Sequence, residues 1–307
     1  METEKKIKTV KVSKGLSMRA AILLMIAVGV ARGSSFIFSK QLVSDIEPLN
    51  LLALRSIMAF AILMIPFGKK VITTVREEPR NLTAGAVIGF AYFMVMAFEL
   101  YGIKYTTSAT ASLIEHSAIV WVPLAEAALL RRAPGRVTMI CSALSMIGLG
   151  FVAAGGYGRG IGLGELLCIL AAFSYTAAII LTDRHSKKYD PLVIGILYVG
   201  IMGVFALIGS FVAESPHMPE TGSQWLMLMM LVVVCSCFGF TMQPVAQEPL
   251  SAETSGLFTA INPLTASILG TVVLHEPFGL NKFIGAALII GSIILHSLQR
   301  QDSTPEK

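Results

Sequence analysis

Residues 254–295 read TSGLFTAINPLTASILGTVVLHEPFGLNKFIGAALIIGSIIL: two long apolar runs on either side of a short polar hinge, HEPFGLN. Each run is long enough to cross a bilayer as a helix. The same layout occurs at 110–152, TASLIEHSAIVWVPLAEAALLRRAPGRVTMICSALSMIGLGFV. A shift of 144 positions, Glu276 onto Arg132, aligns hinge with hinge and places Gly279 on Gly135. A chain that repeats a span–hinge–span unit is most simply two copies of one membrane bundle.

Composition agrees. Of 307 residues, 54% are hydrophobic and only 14% charged, with a mean hydropathy of +0.73. Soluble domains carry about a quarter charged residues, so little sequence remains for one here. The net charge of +5 could suggest nucleic acid, but the basic residues sit in short loops and the N-terminal tail. That placement is the positive-inside pattern, and a nucleic-acid partner is not expected. Cys141, Cys168, Cys235 and Cys237 all fall inside apolar runs without a nearby histidine. Neither a metal site nor a disulfide framework is expected from that spacing, and no cofactor is implied.

The polar, lysine-rich stretch 1–15 is expected to be a cytoplasmic tail. The apolar run after it lacks an evident small-x-small cleavage site and extends through Phe36-Ile37-Phe38. It therefore reads as a retained first span rather than a signal peptide. Runs of about 18 to 23 apolar residues place ten spans near 20–39, 48–67, 82–101, 108–130, 137–155, 162–182, 191–212, 224–243, 253–274 and 281–298. Pro and Gly mark the joints, notably Glu47-Pro48, Ala133-Pro134-Gly135 and Asp190-Pro191.

With the N-terminus inside, eighteen of the 24 Lys and Arg residues fall in cytoplasmic segments and four in outer loops. Arg32 and Arg55 lie within spans. Both termini are thus expected to be cytoplasmic. Five spans per copy is an odd number, so the second copy must enter from the opposite face. The expected fold is an all-α integral membrane protein of ten transmembrane helices in two inverted five-helix repeats. Its parts are a basic tail (1–19), a first repeat (20–155), a linker (156–161), a second repeat (162–298) and a short cytoplasmic tail (299–307). Inverted repeats favour a site between the halves near the midplane.

ARGSSFIFSK in the first span resembles the WGSSF-type motif of EamA-type transporters in the drug/metabolite transporter superfamily. Pro48 with Arg55, Gly164-Glu165 at the start of the sixth span, and LHEPFGLNKFIGAALIIGSIIL resemble that family's recurring pieces. The resemblance covers residues from about Ser17 to Gln299. Two departures stand out: Arg32 where the family usually has Trp, and Arg131-Arg132 where the second copy has His275-Glu276. The resemblance implies secondary transport of small metabolites, often amino acids, across the plasma membrane. It also implies that the first four spans of each half line the cavity. The partners it implies are a small-molecule substrate and the lipid bilayer; monomer and homodimer both stay open.

A charge at mid-bilayer costs about 2.5–3.5 kcal/mol on insertion scales, so each must find a partner or water. At 1.5 Å per residue, Arg32 lies roughly 18 Å from the inner face, and Arg55 and Glu115 roughly 20 Å. His116 is adjacent to Glu115, and Glu99 lies slightly further out. These residues form a candidate substrate site in which Arg32 or Arg55 meets a carboxylate and Glu115 an ammonium group or a proton. Alternatively, Arg55 and Glu115 neutralise each other and pin two helices. Near-balanced charge suggests a zwitterion such as an amino acid. Glu115 and Glu99 are the candidate proton carriers.

In the second half, Arg32 corresponds to Tyr175, Arg55 to Tyr198 and Glu115 to Thr259. Hydroxyls and aromatic faces replace charge there, and Tyr175 and Asn262 are assigned to the cavity wall. Glu165 is assigned to its helix start, Gly29/Gly33 and Gly85/Gly89 to close helix packing, and Pro123, Pro244 and Pro263 to breaks or kinks. His185 with Asp190 and GGYGRGIGLG imitate catalytic and phosphate-loop motifs without the structural context those need. Two rivals remain: a passive channel or facilitator, and a membrane-embedded enzyme. The expected reading is an exporter of small polar metabolites and not an enzyme.

Overall fold

The computed structural model describes residues 16–106, 108–131, 133–153, 162–274 and 280–302. The tail 1–15, Arg132, the linker 156–161 and hinge residues 275–279, Glu276 among them, lie outside the described residues. All regular structure within the described residues is helical.

The first half holds α1 (Met18–Leu42), α2 (Pro48–Glu77), α3 (Arg80–Tyr105), α4 (Ser108–Glu115), α5 (Ala118–Leu130) and α6 (Arg136–Ala153). The second holds α7 (Leu163–Ser186), α8 (Pro191–Ala213), α9 (Gly222–Met230), a π-helix (Leu231–Phe240), α10 (Thr241–Gln247), α11 (Ala252–Phe258), α12 (Ile261–Leu274) and α13 (Leu280–Asp302). Taking α4–α5, α9–π–α10 and α11–α12 as interrupted rods, each half has five. Six rods are long and apolar enough to cross a membrane by length and composition: α1, α2, α3, α7, α8 and the α9–π–α10 rod.

The joints form as their residues dictate. Pro48 and Pro191 open α2 and α8, where a missing N–H costs nothing. Asp190 caps α8 by accepting from the Leu192 and Val193 amides at 3.1 Å. Glu165 folds back to accept from the Gly162 amide at 2.8 Å and closes the start of α7.

Two rods expected to be continuous are broken, at matching places in the two halves. The first breaks at His116-Ser117 and the second at Thr259-Ala260. At the second break the Thr259 amide and hydroxyl both donate to Gly256 O, and the Ala260 amide to Leu257 O, so three-residue turns replace the helical pattern. Pro263 has no N–H to offer Thr259 O, and the Asn262 amide takes that carbonyl at 3.1 Å. At the first break the Ser117, Ile119 and Val120 amides make the same short turns. Pro123 stays inside α5 and does not interrupt it. Pro244 likewise leaves Phe240 O without its helical donor, and the Tyr198 hydroxyl supplies one.

Packing follows a two-fold pattern. The helix α2 lies along α8, and α6 along α13, each on its counterpart; α3 on α7 is mirrored by α1 on the π-helix and α10. Glycines permit the tightest approaches, as their spacing predicts. A Cβ at Gly33 would stand 2.4 Å from Asn262 O, and one at Gly85 would stand 2.7 Å from Leu197 Cβ. At Gly195 the distance to Thr241 O would be 2.2 Å, against backbone that cannot swing aside. Gly195→Ala is therefore expected to lower the thermal midpoint in detergent, at about 1–3 kcal/mol for overpacking. Gly150→Ala, where a Cβ meets nothing within 4 Å, is expected to leave it level or raise it. Equal midpoints for the two variants would contradict this packing.

The distribution of polarity is that of a protein solvated by lipid. Ile65, Val212, Phe211 and Leu23 lie on the outside, while Arg32, Arg55, Glu99, Glu115 and His116 are each no more than 5% exposed.

Candidate functional site

Arg32 sits on α1 facing the other half. Its Nη1 donates to the Tyr175 hydroxyl of α7 at 2.8 Å and to Gln243 Oε1 of α10 at 2.5 Å. Its guanidinium carbon stands 4.5 Å from the Phe240 ring centre, 4.9 Å from that of Tyr175 and 5.5 Å from that of Tyr92. Such an aromatic cage stabilises a buried cation through the ring quadrupoles. Room for the arginine stem comes from Gly239, where a Cβ would lie 3.0 Å from Arg32 Cγ. Arg32 and Tyr175 are counterparts 143 residues apart, so their hydrogen bond lies where the two halves meet their own images.

A cleft opens beside Arg32, lined also by Met25, Val28 and Gly29 of α1, Tyr175, Gln243, Phe258, Thr259 and Asn262. Met25, Val28, Gly29 and Arg32 share one face of α1 at helical spacing. The cleft therefore runs from Arg32 toward the end of the bundle where α1 begins.

A second polar layer lies on the opposite side of Arg32. Arg55 Nε donates to Ser236 Oγ at 3.2 Å, and its guanidinium carbon is 5.3 Å from the Phe240 ring, which thus contacts both arginines. Glu115, the last residue of α4, and Glu99 of α3 are buried neighbours, and two acids packed together favour a proton on one of them. Glu115 Oε2 and Arg55 Nη2 have no hydrogen-bond partner. His116 points Nδ1 at Ser112 O, 2.8 Å away, which leaves Nε2 as the acceptor nitrogen. Its ring lies 5.8 Å from that of Phe36 and 6.1 Å from that of Tyr175.

The far end of the bundle is closed by bonds between the halves. Glu214, just past α8, accepts from the amides of Leu49 and Asn50 at 2.9 and 2.8 Å, capping α2 from across the molecule. It also accepts from the Tyr101 hydroxyl at 2.7 Å. Asn50 Nδ2 donates to His217 O at 2.7 Å, and Gln224 Nε2 to Asp45 Oδ2 at 3.0 Å. Thr106 donates to Glu165.

His217 has Nδ1 3.1 Å from Ser215 O and Nε2 3.0 Å from Asp45 O. Only the imidazolium carries N–H on both nitrogens. These carbonyls therefore raise its pKa, with Glu220 and Glu47 adding to the effect. A raised folded-state value means the contribution is fully present below the ordinary histidine range. It is lost as pH rises through the folded value. The thermal midpoint of the wild type is expected to fall more between pH 5.5 and 8.5 than that of His217→Gln; equal slopes would contradict the latch.

Of the residues singled out in the sequence, Arg32, Tyr175 and Asn262 meet at the cleft, while Arg55, Glu99, Glu115 and His116 gather in the layer beyond. Arg55 and Glu115 do not face each other as an ion pair among the described residues; Arg55 bonds Ser236, and Glu115 neighbours Glu99. Gln243, Tyr92 and Phe240 were not foreseen. Gln243 occupies the position 144 residues after Glu99, so the internal alignment carried a signal for it.

The profile of the EamA-like transporter family matches twice, over residues 19–154 and 162–298, and the chain belongs to that family. The relatives are transporters by name. The uncharacterized transporter YetK of Bacillus subtilis is 25% identical over 297 residues, covering 92% of this chain and 88% of the relative. The uncharacterized inner membrane transporter YicL of Salmonella typhimurium is 24% identical, covering 92% and 96%. A solved crystal structure shares the fold, with a TM-score of 0.78 at 17% identity and coverage of 94% and 100%. Family and relatives point to a multi-pass membrane transporter rather than an enzyme.

Proposed function

We propose that the protein is a secondary transporter that exports small polar metabolites carrying a carboxylate, amino acids among the candidates, by alternating access across the plasma membrane. In this reading residues 20–155 and 162–298 are two inverted repeats of five spans, with both termini cytoplasmic. The observation that carries it is the Arg32–Tyr175 hydrogen bond between counterpart residues, at the head of a cleft that runs toward the α1 start. With that end inside, the far end sealed by Glu214 and its neighbours is the outer one. The cleft then loads from the cytoplasm. Arg32, with Tyr175 and Asn262, receives the carboxylate, and Arg55 and His116 bound the passage beyond. The Glu99–Glu115 pair, two buried acids side by side, is the coupling site for proton exchange against substrate. The sealed end argues against an open channel.

Purified protein in sealed proteoliposomes tests this. A labelled carboxylate metabolite is expected to enter saturably and to accumulate transiently when unlabelled compound is preloaded. Flux that never saturates and shows no counterflow across a metabolite panel would contradict it.

A further inference from the structure

We infer that the cleft beside Arg32 is built for a monocarboxylate with an apolar body and no ammonium group. This rests on the transporter reading above and narrows it, away from the amino-acid expectation that overall charge balance suggests.

The charge around the cleft is one-sided. Among the described residues, Arg32 is the only formally charged one in its lining. The fourteen-residue helix α12 begins at Ile261, beside the lining residues Thr259 and Asn262, and its N-terminus adds a partial positive charge. Arg32 Nη1 uses both of its N–H groups on Tyr175 and Gln243, leaving donors on Nη2 and Nε for a ligand. A carboxylate suits that fork.

An ammonium group finds no comparable acceptor. Gln243 Oε1 already accepts from Arg32. At the break in the helix Gly256 O already accepts two donors, the Thr259 amide and hydroxyl. Glu99 and Glu115 are not among the residues that line the cleft. Desolvating an ammonium there leaves a charge without a partner, which binding must offset.

The remaining walls, Met25, Val28 and Phe258, are apolar and suit a hydrocarbon body.

The test is isothermal titration of the purified wild type at pH 7 with four matched probes: hexanoate, norleucine, 6-aminohexanoate and hexanamide. Hexanoate is expected to bind saturably, at least tenfold more tightly than either amino acid, a difference of about 1.4 kcal/mol. Hexanamide is expected not to bind. Norleucine or 6-aminohexanoate binding as tightly as hexanoate overturns the inference, as does equal binding of hexanamide or no binding of hexanoate. Counterflow of the bound probe separates this from the transporter reading. Hexanoate binding without counterflow removes transport and keeps the cleft assignment, whereas norleucine binding with counterflow removes the assignment and keeps transport.

Discussion

Replacing Arg32 by alanine is expected to reduce counterflow of a carboxylate substrate at least a hundredfold, measured in proteoliposomes at matched protein density. Among the described residues Arg32 is the one formal charge lining the cleft, and it supplies the charge-assisted donors. Removing one member of a buried, hydrogen-bonded charge pair costs about 3–5 kcal/mol, and 1.4 kcal/mol is about tenfold in affinity. Arg32→Lys should fall between the two. It keeps the charge but loses the planar fork, and with it the simultaneous bonds to Tyr175 and Gln243. Arg32→Ala protein that folds, elutes as wild type and transports within threefold of it would remove Arg32 from the site.

The second large effect belongs to the acid pair. Glu115→Gln keeps the size of the side chain but fixes the proton count, because an amide does not titrate. Uptake driven by an imposed pH gradient is expected to drop at least tenfold, while counterflow, which needs no net proton movement, persists. The opposite pattern, with intact gradient-driven uptake and lost counterflow, would move Glu115 from coupling to substrate binding. Glu99→Gln is expected to behave like Glu115→Gln, since either change removes one of the two neighbouring acids.

Local chemistry made much of the architecture readable. Glu47-Pro48 and Asp190-Pro191 mark helix starts because proline suits the first turn and nothing deeper. Gly29, Gly33, Gly85 and Gly89 mark contacts whose closeness a methyl group would prevent. The 143-residue offset paired Arg32 with Tyr175, and those two side chains touch.

What stayed hidden depends on tertiary placement. His116-Ser117 has no proline at its break, which forms through three-residue bonds, whereas Pro263 marked the second break in the sequence. The π-helix over Leu231–Phe240 changes which residues face inward, bringing Phe240 between two arginines. Gln243 is uncharged and drew no attention among apolar neighbours, although it holds Arg32 directly. The approach of Glu99 to Glu115 joins two spans, and Glu214 reaches Leu49 across 165 residues of chain. No local pattern encodes either contact.

Reciprocal access to the two sides of Arg32 tests the central claim most directly. In a cysteine-free background, Met25→Cys reports on the cleft and Ser39→Cys, two turns past Arg32 on α1 and fully buried, on the sealed side. Membrane-impermeant maleimide is expected to label Met25→Cys only from the cytoplasmic face, and Ser39→Cys only from the outer face under conditions that drive transport. Conditions that raise one rate should lower the other. Both positions reacting from one face, or Ser39→Cys staying unreactive throughout turnover, would contradict alternating access around Arg32.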